Sequence, residues 1–214
     1  LSIISRKSAN ASWYGLKWDL DLVEKTNSWK VTVLDEAEIS RTIINSSSDL
    51  GVGTYVYWDK FDAVLDDTAA DAASDYERHI DGLINHLSLV YHRYIQGDDV
   101  LAKISLYINN VKIGARDPFA LNPPKGKPGA ILTVDEYAVL RTDDSESKVK
   151  IKSYVLPHPS NIDQEFMRKV SGDDDYYSGQ GIYIYRGGRL ISHSGWLRLA
   201  RLSETNKLAR VRVD

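Results

Sequence analysis

The chain has 214 residues, 43% hydrophobic and 27% charged, with a formal net charge of −3. This is the composition of a folded globular protein, and the slightly acidic balance gives no global basic field for nucleic acid. Cysteine is absent, which excludes disulfides and thiolate metal sites, and no apolar run approaches the roughly 18 residues a membrane helix needs.

Residues 1–61 read as strands. Ser12 to Asp21 and Trp29 to Leu34 carry aromatic and β-branched residues in near-alternation, and Glu24 to Ser28 between them predicts a hairpin. Ser46 to Asp49 reads as a loop and Gly51 to Trp58 as a third strand, completing a three-stranded antiparallel unit. Asp66 to Ala73 is acidic and alanine-rich, a connection into a helix. From Asp75 the apolar positions Tyr76, Ile80, Leu83, Ile84, Leu87, Val90, Tyr91 and Tyr94 recur at three- and four-residue steps. That spacing predicts an amphipathic helix of about five turns, ended at Gln96-Gly97.

The remainder reads as a second β-rich unit. Lys103 to Ile108 and Val111 to Ile113 flank Asn109-Asn110, a hairpin reversal. Prolines 118, 123, 124 and 128 make Arg116 to Gly129 an irregular loop, since proline can continue neither a ladder nor a helix. Lys148 to Leu156 is a strand with lysines on one face and Val149 and Ile151 on the other. Ser160 to Asp163 has the form of a helix start, and Phe166, Met167 and Val170 give a short helix closed by Gly172. Tyr183 and Tyr185 alternate with Ile182 and Ile184 before Arg186-Gly187-Gly188-Arg189, and Leu190-Ile191 resumes the apolar pattern. A type I′ turn needs positive φ at both central residues, which Gly-Gly supplies. Leu208 to Val213 is a last alternating strand.

Three blocks, taken in order, carry a family resemblance. The first is Leu1 to Leu20 with Trp18-Asp19-Leu20, joined by Gly53-Thr54-x-Val56. The second is His86 to Tyr94 with Ile108-Asn109-Asn110 and Asp117-Pro118-Phe119. The third is the Tyr185–Ile191 hairpin with Trp196 and Ala209 to Asp214. The chain resembles a bacterial branch of the GHKL ATPases, the superfamily of gyrase B, MutL, MORC and the heat-shock chaperone ATPases. The resemblance implies an α+β fold: the rear strands of an ATP-binding domain over residues 1–65, a long connecting helix over 66–100, and a truncated transducer of the ribosomal-protein-S-five type over 101–214. It implies a cytoplasmic fragment of an ATP-driven conformational switch, not catalytically competent alone. Its partners would be the rest of the parent ATPase, which could form a homodimer, and a DNA or protein client, with no membrane. The parent would use ATP and Mg; the fragment would need neither. Gly53 and Thr54 correspond to a Gly-Thr pair whose threonine reaches the adenine through an ordered water.

The superfamily's Asn/Glu-bearing helix, its Asp-x-Gly-x-Gly turn and its second glycine-rich lid do not occur in this sequence. Gly51-x-Gly53 and Gly179-x-Gly181 are not followed by helix starts and so present no helix N-terminus to a phosphate. The transducer's phosphate-sensing lysine is expected beyond Asp214; Lys207, the nearest, precedes the last strand.

Other constellations have plainer readings. His79, His86 and His92 share the predicted helix without the i,i+3 or i,i+4 spacing of a metal pair. Asp173-Asp174-Asp175 lacks the alternating ligands of a calcium loop and reads as solvated. Ser192 and His193 are strand neighbours facing opposite sides, so they make no nucleophile–base pair. Arg93 and Arg189 sit in apolar blocks and read as structural clamps, each with a carboxylate or carbonyl partner. Lys148, Lys150 and Lys152 form a basic stripe with Lys169 nearby. The stripe suits either a guarded sheet edge or contact with a nucleic-acid backbone.

Overall fold

The computed structural model describes residues 1–45, 51–59, 71–98, 101–142 and 145–214. The Ser46–Asp49 loop and most of the Asp66–Ala73 connection lie outside them. The fold is α+β, in two compact units, Leu1–Asp75 and Tyr76–Asp214.

In the first unit, β1 (Ser2–Arg6) and β2 (Tyr14–Lys17) are followed by α1 (Leu20–Thr26), β3 (Thr32–Val33), α2 (Glu36–Asn45) and β4 (Gly53–Tyr57). The sheet has four strands in the order β3-β2-β1-β4, all antiparallel, where three strands and a hairpin were expected. α1 takes the place of the hairpin expected at Glu24 to Ser28, and α2 fills the stretch between the second and third expected strands, because local caps outweigh the apolar alternation. Asp19 accepts from the Asp21 amide at the start of α1, and Asn27 ends it at φ 48°. At α2, Asp35 and Glu38 form a reciprocal capping box, with bonds of 2.8 and 3.1 Å. Ile39 of α2 packs with Leu34 on Ile4 and Tyr55. A Cβ on Gly15 of β2 would come within 3.0 Å of Ile39 and Leu34, so the glycine admits α2 against the sheet.

The second unit holds α3 (Ala72–Val90) from Tyr76 onward and α4 (His92–Gln96), which ends at Gly97 with φ 78°. The predicted helix is thus present, broken at Tyr91, and ends where expected. β5 (Tyr107–Ile108) and β6 (Val111–Lys112) form the Asn-Asn hairpin, with φ of 49° and 66° at Asn109 and Asn110. The proline-rich loop is irregular. Residues 131–142, for which the sequence suggested no element, form the twelve-residue β7 (Ile131–Thr142). Its antiparallel partner is β8 (Ser145–Val155). Asp135 and Glu136 interrupt the apolar pattern of β7; both are exposed, and Asp135 pairs with Lys150 and Lys152 of β8. α5 (Gln164–Ser171) starts at Asp163, which accepts from the Phe166 amide. β9 (Gly181–Arg186) and β10 (Arg189–Ser192) flank Gly187 and Gly188, at φ 56° and 85°, and β11 (Ala209–Val213) is the last strand in the chain.

The sheet order is β10-β9-β11-β8-β7; β11 lies between β9, to which it is parallel, and β8, to which it is antiparallel. One face carries the core. Phe119, 1% exposed, meets Tyr154 and Tyr183 with ring centroids 5.2 and 5.1 Å away, and Leu89 of α3 and Leu190 join them. A second cluster gathers Phe166 and Val170 of α5 around Leu156 and Tyr176. Val149, Ile151, Val211, Val213, Ile182 and Ile184 occupy the opposite face and are only partly buried.

Candidate functional site

In the second unit a cleft of about 320 Å³ is lined by His92, Arg93, Asp98, Asp117, Lys152 and Arg212. α4 supplies the first two, and the Gly97 turn aims Asp98 back at the helix. Arg93 donates through Nε to Asp98 at 2.7 Å and through Nη1 to Asp214, just past β11. Arg212 of β11 donates through Nε to the same Asp214 and lies 3.9 Å from Asp98. Two guanidiniums and two carboxylates therefore fasten the helix end to the end of the central strand. Both arginines also lie over the Tyr185 ring, at 5.2 and 5.8 Å. Burial works against the charge on Arg93, but the Asp98 hydrogen bond and the charges of Asp214 and Asp98 outweigh it and hold its pKa above the ordinary value.

His92 is buried beneath this network. The Leu89 carbonyl, 2.7 Å from Nδ1, can only accept, so Nδ1 carries the proton and Nε2 faces the Tyr185 hydroxyl at 3.4 Å. Burial pulls the His92 pKa down and pushes that of Tyr185 up. Asp117 spends both oxygens on the amides of Phe119 and Leu121, at 3.0 and 2.8 Å, which shapes the turn that delivers Phe119 to the core. The arrangement is a charge-balanced lock. Its imidazole is neutral and internally bonded, and its carboxylates are engaged, so it presents no poised acid or base.

The other sequence-predicted residues lie elsewhere. Arg189 is exposed and places its guanidinium 5.7 Å from the Tyr91 ring centroid. Lys150 and Lys152 both meet Asp135, at 3.2 and 3.4 Å, while Lys148 is exposed. The lysines share a sheet face with the core residue Tyr154. In the first unit, Thr54 is exposed and its hydroxyl bonds the Ser5 hydroxyl at 2.8 Å; Gly53 stands beside it with φ 141°. Thr54, Ser5 and Tyr14 form one cross-strand row, on the sheet face opposite Tyr55 and α2. Among the described residues no group of His, Cys, Asp or Glu could hold a metal ion, and no helix is long and apolar enough to cross a membrane.

The sequence reading missed Asp98 and Asp214 as partners of Arg93, and Arg212 as the second guanidinium on the same carboxylates. It also missed Arg210, which is 2% exposed and donates to the carbonyls of Tyr176, Lys207 and Ala209. The available signal was Arg210-Val211-Arg212-Val213, an alternation that places both arginines on one face. No protein-family model matches the chain, and no curated protein does either.

Proposed function

We propose that this chain is a coupling segment of a GHKL-type ATPase, passing the nucleotide state of an ATP site to the rearrangement of a dimer or a partner, without being an enzyme by itself. One observation carries the reading. The second and third of the blocks that give the resemblance are far apart in sequence yet meet in one buried assembly: His92 lies 6.4 Å from Phe119 and 5.7 Å from Tyr185 by ring centroids, and Arg93 reaches Asp214. A lock between a helix end and a central strand suits a two-state element, because packed interfaces shift between discrete arrangements rather than deforming continuously.

The residues described do not fit ATP and Mg on their own. Thr54 supplies one hydroxyl, already engaged with Ser5, and the described residues offer no metal cluster. A single water-mediated contact contributes about 1 kcal/mol, whereas a dissociation constant of 1 mM needs about 4 kcal/mol. The nucleic-acid alternative is weakened by Asp135, whose carboxylate engages both Lys150 and Lys152 and cancels one of their two charges.

Titration calorimetry with Mg-ATP is expected to give no saturable heat for these 214 residues, and turnover no higher than buffer. The coding sequence upstream of Leu1 is expected to contain the Asn-bearing helix and the Asp-x-Gly-x-Gly turn. Magnesium-dependent turnover by the chain alone, or an upstream sequence without both elements, overturns the proposal.

A further inference from the structure

Strand β7 forms one edge of the five-stranded sheet and pairs with β8 alone among the described strands. Long apolar edges invite pairing with another chain, and proteins commonly blunt them with lysine, proline or a bulge. β7 has no lysine and no proline, and its one register irregularity lies between Leu132 and Val134, near its start. Beyond that point Tyr137, Val139 and Leu140 are exposed, at 62%, 46% and 56%.

We infer that this edge is a self-association surface, on which β7 of a second copy pairs antiparallel about a two-fold axis at Ala138. A two-fold axis perpendicular to the sheet keeps each face on its own side, so only residues of the same face come opposite one another. Centred on Ala138, it sets Tyr137 opposite the second copy's Val139 and Asp135 opposite the second copy's Arg141. Within one chain Asp135 is already opposite Lys152, and Arg141 opposite Glu146. The row across four strands then reads Lys152, Asp135, Arg141, Glu146, with the sign alternating at every step and the last two supplied by the second copy. Directly opposed unlike charges stabilise a strand pair and like charges destabilise it. Ala138 and Val149 on the other face leave room at the axis.

Registers shifted by two lose this match: with the axis at Tyr137, Asp135 faces Val139, and with the axis at Val139, Arg141 faces Tyr137. The existing Arg141–Glu146 pair competes weakly, because its side chains are 79% and 51% exposed. A single strand ladder buries less than a standard interface, so the association is of the weak, reversible class. The inference rests on the β7 edge alone and stands or falls independently of the ATPase reading.

The test is sedimentation velocity over a concentration series, with Arg141→Asp and Asp135→Arg chains. Wild type is expected to show a monomer–dimer equilibrium. Each variant alone would put like charges opposite at both ends of the ladder and weaken dimerisation about tenfold or more. An equimolar mixture restores both unlike pairs in the heterodimer and is expected to recover wild-type association. Because each chain is the same molecule alone and mixed, recovery cannot come from repaired folding. A monomeric wild type, variants that dimerise like wild type, a mixture that fails to recover, or open-ended oligomers would each overturn the inference.

Discussion

Gly188 offers the sharpest test of the β9–β10 hairpin. It is held at φ 85°, and a Cβ added there would lie 2.4 Å from Leu101 Cδ1 and 2.9 Å from Cδ2. At Gly187, φ 56°, an added Cβ would have nothing within 4 Å. An L-residue in the left-handed region costs about 1–2 kcal/mol. Gly187→Ala should show that strain alone. Gly188→Ala should add the displacement of Leu101, about 0.5–1.5 kcal/mol if the leucine moves off its rotamer. Gly188→Val, with a branched Cβ, should reach about 2–4 kcal/mol, a melting-temperature fall of several degrees. Chemical and thermal denaturation followed by circular dichroism, read on the transition of the second unit, would measure all three. Leu101→Ala in the Gly188→Ala background should recover the excess over Gly187→Ala. Equal costs at the two glycines would refute the Leu101 contact, and negligible costs at both would refute the I′ turn.

Two further outcomes probe the lock. Arg93→Met keeps much of the volume but removes one of the two guanidiniums that hold Asp98 and Asp214. Because those carboxylates are about a quarter exposed, the loss should fall below the roughly 3–5 kcal/mol of a fully buried broken pair, and a change within experimental error in urea denaturation would reject the lock. His92 has its pKa lowered by burial from 6.5, so the unfolded chain takes up a proton that the folded chain refuses. Stability from this group is fully present above about pH 6.5 and is lost as pH falls toward the folded value, by up to about 1.4 kcal/mol per pH unit. His193, also depressed by burial, acts in the same direction. His92→Gln should therefore flatten, but not abolish, the decline in stability between neutral and mildly acidic pH; an unchanged pH profile would contradict a neutral buried imidazole.

Local chemistry made much of the fold legible. The Gly187-Gly188 and Asn109-Asn110 hairpins follow from residues that tolerate positive φ, and the α3–α4 segment from apolar spacing ended by a glycine. The Asp35–Glu38 capping box was also written in the sequence, but the aromatic and β-branched residues around it gave a competing strand signal. Arg93 could be singled out as a charge in an apolar block. Its partners could not, because Asp214 lies 121 residues away and sequence distance says nothing of which strand end meets which helix.

By itself, the sequence determined the turns at Asn109-Asn110 and Gly187-Gly188 and which residues alternate along β8, β9 and β11. It did not determine which side of each alternation is buried. Along β9 the tyrosines turn to the core and the isoleucines are only partly covered. Along β11, Arg210 is buried and Arg212 sits in the cleft, while Val211 and Val213 lie on the less covered face. Lys152 shares the face of Tyr154. Hydrophobicity would place valine inward and arginine outward. The tertiary structure reverses that order because carboxylates, tyrosine rings and backbone carbonyls from distant segments converge on one face and supply partners that solvated arginines would otherwise find in water. Strand period fixes two faces; only the partners brought by folding decide which one is inside.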